Sequence, residues 1–124
     1  MKPETLIFDV IKRIIPEKSK KTIFFVGITD TSQEVFFYSL IEDKMVQCYT
    51  LAEQYELDEN ELSKVFSDVV NIIKASKYYI EGKYNVGTII LDKTGINLDM
   101  EYFDMESSEY RIQKEWKIHN HLIE

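Results

Sequence analysis

The sequence predicts an α+β domain: an antiparallel sheet of about five strands with helices, in the order α-β-β-β-α-β-β-α, as one unit over residues 1–124. Three observations carry that expectation. Strand-like segments come in runs between helical ones, without the βαβ alternation that would give a parallel sheet. The links inside those runs are too short for parallel crossovers, so neighbouring strands must reverse direction. A chain of 124 residues, 44% apolar and 13% aromatic, can also bury an ordinary core without disulfide or metal staples.

Each element has a local reason. Over residues 4–15, Leu6, Ile7, Val10, Ile11 and Ile14 recur with helical spacing and form one stripe. Pro3 sits where a first-turn proline is tolerated, and Pro16 pushes Ile15 out of the α region, so the helix stops there. After the basic link Lys18-Ser19-Lys20-Lys21, the β-branched and aromatic run Thr22–Ile28 predicts a strand. Asp30-Thr31-Ser32 reads as a turn. Val35–Ile41 is a second strand, Glu42-Asp43-Lys44 a tight polar turn, and Met45–Leu51 a third strand completing a meander.

Asp58 followed by Glu61 has the cap-then-acid spacing of a helix start. Leu62, Val65, Phe66, Val69, Ile72, Ile73 and Ile80 then mark an apolar face, with Lys64, Asp68, Asn71, Lys74 and Lys77 opposite and Gly82 as the stop. Val86–Leu91 and Ile96–Phe103 form a hairpin around Asp92-Lys93-Thr94-Gly95. Ser107 or Ser108 caps a last helix, on which Ile112, Trp116, His119 and Ile123 share a face, with Trp116 as a packing residue.

Charge narrows the partners. The chain has 22 acidic against 15 basic side chains, a formal net charge of -7. Such a chain does not attract nucleic acid or an anionic membrane unless a basic patch is set apart, and it suits a basic partner. Cys48 stands alone, which excludes an intrachain disulfide and two-cysteine metal or redox motifs, and it reads as a semi-buried strand residue. Leu6-Ile7-Phe8 is broken by Asp9 and followed by Lys12 and Arg13, unlike a signal peptide. No stretch approaches the roughly 20 apolar residues of a membrane span. A reduced, soluble, cytoplasmic protein is expected.

Catalytic patterns are sparse. Gly27, Gly82, Gly87 and Gly95 are scattered and make no phosphate-cradling loop. His119 and His121, two residues apart on a helix, point to different faces and do not share a metal. Glu81-Gly82-Lys83 and Glu115-Trp116-Lys117 have the Glu-x-Lys spacing of metal-dependent nucleases but not the strand context beside an Asp. Asp58-Glu59-Asn60-Glu61 lacks the glycine and terminal glutamate of a calcium loop, and acids at a helix start are explained by the macrodipole. No cofactor, no metal and no enzymatic activity are expected.

The acids themselves are unevenly placed. Residues 94–109 hold Asp99, Glu101, Asp104, Glu106 and Glu109 and no base, whereas bases gather in residues 1–28 and on helix faces. Along the last strand Ile96, Leu98, Met100 and Tyr102 alternate with Asn97, Asp99, Glu101 and Phe103, so Asp99 and Glu101 project from one face. That face is either simply solvated or an acidic docking surface, with Phe103 and Tyr110 as aromatic anchors. Tyr78, Tyr79 and Tyr84, beside Lys77 and Lys83, fit the edge of the core better than a binding site.

Gly95-Ile96-Asn97-Leu98-Asp99-Met100-Glu101-Tyr102 resembles the glycine-led strand of the YezG-like immunity proteins, small bacterial antitoxins paired with secreted nuclease toxins. Ser107-Ser108-Glu109-Tyr110-Arg111 through Trp116-Lys117 resembles their closing helix, and the element order over residues 4–124 fits as well. Lys83-Tyr84-Asn85 departs from the family's Pro-Trp dipeptide at the start of the fourth strand. The resemblance implies a non-catalytic cytoplasmic protein that binds a cognate toxin, expected here to use Asp99, Glu101, Phe103, Asp104, Glu106 and Tyr110. The same element order, small size and acidity also resemble class I secretion chaperones, typically homodimers that hold an effector segment along hydrophobic grooves.

Overall fold

A computed structural model describes residues 2–28, 33–80, 84–102, 109–120 and 122. Helix α1 (Pro3–Ile11) leads into strand β1 (Thr22–Ile28), followed by β2 (Gln33–Ile41) and β3 (Lys44–Gln47). Three helical segments come next, α2 (Cys48–Gln54), α3 (Glu59–Lys74) and α4 (Lys77–Ile80). The hairpin β4 (Val86–Asp92) and β5 (Gly95–Glu101) and helix α5 (Glu109–His119) complete the chain. The strands form one five-stranded sheet in the order β3-β2-β1-β4-β5, with every pairing antiparallel. The expected α+β architecture is therefore present, with its central helical unit divided into three.

β1 lies in the middle of the sheet and is buried along its whole length. A run with no polar alternation requires cover on both faces, and the aromatic pairs provide it. Phe24 stacks on Phe37 at 4.7 Å between ring centroids, and Phe66 of α3 meets both rings edge-on. On the other face Phe25 stacks on Phe36 at 4.9 Å, and Trp116 of α5 meets both edge-on at 5.3 and 5.6 Å. Adjacent residues of one strand thus anchor opposite layers, because strand side chains alternate sides. Ile7 and Ile11 of α1, Leu62, Val65, Val69, Val70 and Ile73 of α3, and Ile89 and Leu98 of the hairpin are all buried.

Three sequence expectations need correction. First, α1 stops at Ile11, not near Pro16. The Lys12 amide still bonds to the Phe8 carbonyl, but those of Arg13 and Ile14 bond to the carbonyls of Val10 and Ile11, a tightening to three-residue spacing that ends the helix while leaving Ile14 buried. Leu6 is exposed, so the buried stripe is narrower than its apolar residues suggest.

Second, residues 45–51 are not one strand. β3 ends at Gln47, whose side-chain oxygen accepts the amide of Tyr49 at 2.8 Å and starts α2. Cys48, Leu51 and Ala52 are buried at helical spacing, so Cys48 is a buried helical residue instead of a semi-buried strand residue. Burial pushes its thiol above the ordinary value, which keeps it protonated and unreactive near neutrality. Third, α3 ends at Lys74. The Ser76 hydroxyl donates to the Ile73 carbonyl at 2.6 Å, and α4 begins as a separate short turn. The start of α3 is as expected, with Asp58 accepting the Asn60 amide at 2.8 Å. The turn at Asp30-Thr31-Ser32, the stop at Gly82 and the serine cap at Ser107 or Ser108 lie outside the described residues.

The β4–β5 turn is held by one side chain. Asp92 Oδ1 accepts both the amide of Thr94 at 2.8 Å and its hydroxyl at 2.6 Å. These bonds, with a lesser contribution from Lys21, hold the Asp92 carboxyl below the usual carboxylate range. Gly95 follows at φ 129°, a backbone conformation that side chains with a Cβ rarely adopt. A group whose folded pKa is depressed contributes stability above its unfolded pKa and loses it as pH falls through the folded value. Asp92→Ala is therefore expected to lower the melting temperature at neutral pH. That difference should shrink below the ordinary aspartate range near ~3.9 and vanish under stronger acid, as read by thermal melts across pH.

Candidate functional site

Strand pairing explains why the acids of β5 face outward. Ile96 and Met100 are half-buried and Leu98 buried, while Asn97, Asp99 and Glu101 are exposed. One side of β5 therefore joins the core beneath α1 and α3. The other continues the sheet face that α5 covers. The register places Asp99 opposite Thr88, Thr88 opposite Phe25, and Phe25 opposite Phe36, and this row runs beneath Trp116. Trp116 Nε1 donates to Thr88 Oγ1 at 2.8 Å. The cover of α5 reaches Thr88 and leaves Asp99, one strand further out, at the open margin.

Asp99 and Glu101 stand two residues apart, about 7 Å along the strand. Among the described residues the ion pairs are Lys12 with Asp9 and Arg111 with Glu115, both within single helices. Neither Asp99 nor Glu101 is neutralised in this way. Two like charges at this spacing favour a cation placed between them.

Two further exposed residues near this end of the sheet were not anticipated as site residues. Tyr102 follows β5 immediately and is 66% exposed, although strand alternation placed it on the inward side with Met100. β5 ends at Glu101, so the alternation does not extend to Tyr102; only the strand's end point could have revealed this. Glu34 of β2 stands in the same transverse row as Gly27, Val86 and Glu101, three strands from Glu101 and about 14 Å away. That relation follows from register between distant segments, which composition alone does not disclose. The Tyr49 hydroxyl is raised above its usual value by burial, with Glu34 among the acids adding to the shift.

Of the other expected site residues, Phe103, Asp104 and Glu106 lie outside the described residues. The backbone of Tyr110 is in the first turn of α5, and its side chain is outside what is described. Glu115 is bonded to Arg111 at 3.1 Å, an ordinary helical i,i+4 pair, and Glu81-Gly82-Lys83 lies outside the described residues. His119 is exposed in the last turn of α5. Among the described residues no group of three or more His, Cys, Asp or Glu could hold a metal ion. No described helix is long and apolar enough to cross a membrane. The open side of β5 can attract and hydrogen-bond cationic groups, and Tyr102 offers an aromatic contact beside them.

The comparison with family models identifies one match, described as immunity protein YezG-like, over residues 5–122. No curated protein matches the chain.

Proposed function

The chain belongs to the YezG-like immunity protein family, and from that membership we propose that it binds and neutralises a cognate secreted toxin, a basic nuclease, in the cytoplasm of the cell that produces both. The observation that carries the site is the exposed pair Asp99 and Glu101 on an outer strand, without an ion-pair partner among the described residues and with exposed Tyr102 next to it. A nuclease holds phosphates with lysine and arginine, and an acidic strand can occupy such a cleft as the substrate would. Action is by occlusion, with no bond made or broken and no cofactor.

Magnitudes fix what the charges contribute. A single contact pair near 4 Å is worth at most ~4 kcal/mol at an effective dielectric near 20, before the cost of removing both ions from water. The greater effect is on encounter, because complementary charge can raise association toward ~10⁸–10⁹ M⁻¹s⁻¹. Tight retention then rests on aromatic contacts such as Tyr102, together with Phe103 and Tyr110 from the expected site.

The test is a growth assay with the polymorphic toxin encoded beside this gene. Co-expression should restore growth, and the two chains should co-purify as a complex whose nuclease activity is suppressed. Growth arrest that persists despite normal levels of this protein would overturn the immunity reading for that toxin. Rescue without suppression of nuclease activity would overturn the proposed occlusion of a nuclease.

A further inference from the structure

The far end of the sheet from Glu101 carries a feature of opposite sign. The link between α1 and β1 meets the β4–β5 turn around a cavity of about 330 Å³, bordered by Lys18, Lys20, Lys21 and Lys93. The carboxylates lining it are Glu17 and Asp92. Asp92 is engaged twice by Thr94, as the cap of the turn. None of the four lysines has a carboxylate within ion-pair distance among the described residues, in a chain with 22 acids to choose from. The acidic Glu42–Asp43 turn lies at the same end of the sheet but does not line the cavity.

The walls are fixed rather than loosely hung. The Lys20 amide donates to the Leu40 carbonyl at 2.9 Å, and the Leu40 amide donates to the Lys21 carbonyl at 2.7 Å, so the link is stitched to β2. The Ser19 hydroxyl donates to the Lys21 carbonyl at 3.1 Å and lies 3.0 Å from the Thr22 hydroxyl, which lies 2.9 Å from that of buried Ser39. These bonds hold the backbone of Lys20 and Lys21 before any ligand arrives. Lys93 lies between Asp92 and Thr94 in the turn that their two bonds close.

We propose that this cavity is a binding site for a small diphosphate or triphosphate anion, either inorganic pyrophosphate or the phosphate chain of a nucleotide. Four lysines against two carboxylates leave the lining with an excess of positive charge that concentrates anions, and lysine ammoniums suit phosphate as point charges. The volume lies at the lower end of ligand-pocket sizes, which fits a phosphate chain better than a whole cofactor. A multiply charged anion can meet several ammoniums at once, whereas chloride meets them singly and is held less. The cavity lies at the opposite end of the sheet from Glu101.

The test is a titration of the ¹⁵N-labelled full chain with pyrophosphate, ADP and sulfate. Pyrophosphate and ADP are expected to give saturable one-site shifts centred on the amides of Ser19, Lys21, Thr22, Asp92 and Lys93, with sulfate weaker by about tenfold or more. Tighter binding of ADP than of pyrophosphate assigns the site to a nucleotide; equal binding assigns it to the phosphate chain alone. Lys20→Glu with Lys93→Glu, both at exposed positions, should weaken pyrophosphate by at least about tenfold with an unchanged melting profile. Absence of saturation, shifts spread equally over Lys2, Lys74 and Lys77, or affinity within about twofold of the parent in the double variant overturns the proposal.

Discussion

Replacing Trp116 by alanine is expected to cost about 3–5 kcal/mol of folding stability, the range for truncating a large buried aromatic. The side chain is 6% exposed and meets Phe25 and Phe36 edge-on, so truncation opens a cavity over the centre of the sheet. It also removes the indole donor from Thr88 Oγ1, leaving a half-buried hydroxyl to find another partner. Trp116→Phe separates the two contributions. It keeps an aromatic ring near the Phe25–Phe36 stack and loses the hydrogen bond together with some volume, so a smaller loss of about 1–2 kcal/mol is expected. Denaturant unfolding of the parent and both variants reads these differences, and equal stability of parent and Trp116→Ala would refute the anchoring role.

The consequence reaches the proposed docking face. α5 has only Ile112 and Trp116 as buried apolar residues among its described side chains. Lys117 adds a cation over the Phe36 ring at 5.2 Å. Loosening Trp116 would therefore uncover the apolar row beside Asp99, replacing a charged margin with a mixed one. Conditions under which Trp116→Ala remains folded should give weaker toxin binding than charge arithmetic alone predicts.

The limits of what the sequence discloses follow from the same local physics. β1, the β4–β5 turn and the start of α3 are legible because short-range chemistry decides them: β-branched and aromatic residues in Thr22–Ile28, an Asp-x-Thr-Gly turn, and an Asp cap. The segment from Met45 onward is misleading because Met45, Val46, Cys48, Tyr49 and Leu51 suit a strand as well as a helix. The Gln47 side chain and the burial of Cys48, Leu51 and Ala52 decide for the helix. Ala75 and Ser76 break the helical run without a glycine or proline, so the end of α3 has no strong sequence signal. On β5, two-residue alternation places Asp99 and Glu101 correctly on one exposed side. The relation to Glu34 and the shelter of α5 require pairing between segments far apart in sequence.

Charge reversal of that face, Asp99→Lys together with Glu101→Lys, is expected to slow toxin association by about tenfold to a hundredfold at low ionic strength. Both residues are exposed, and neither forms an ion pair among the described residues, so the double variant should fold with a melting temperature close to that of the parent. The gap between variant and parent should narrow as salt rises, because charges separated by more than about 8–10 Å are screened near physiological ionic strength. Tyr102→Ala provides the complementary result. An aromatic contact acts on retention more than on encounter, so this variant should dissociate faster while associating at nearly the parental rate. Reversal at Lys20 and Lys93, at the other end of the sheet, should leave toxin association unslowed. Stopped-flow association at two salt concentrations, paired with dissociation rates, distinguishes these effects. A salt-independent rate unaffected by reversal at Asp99 and Glu101 would place the toxin elsewhere on this molecule while leaving its assignment as an immunity protein intact. Loss of rescue in the growth assay for the charge-reversed chain, with rescue retained by the Lys20 and Lys93 variant, would tie protection to this one strand.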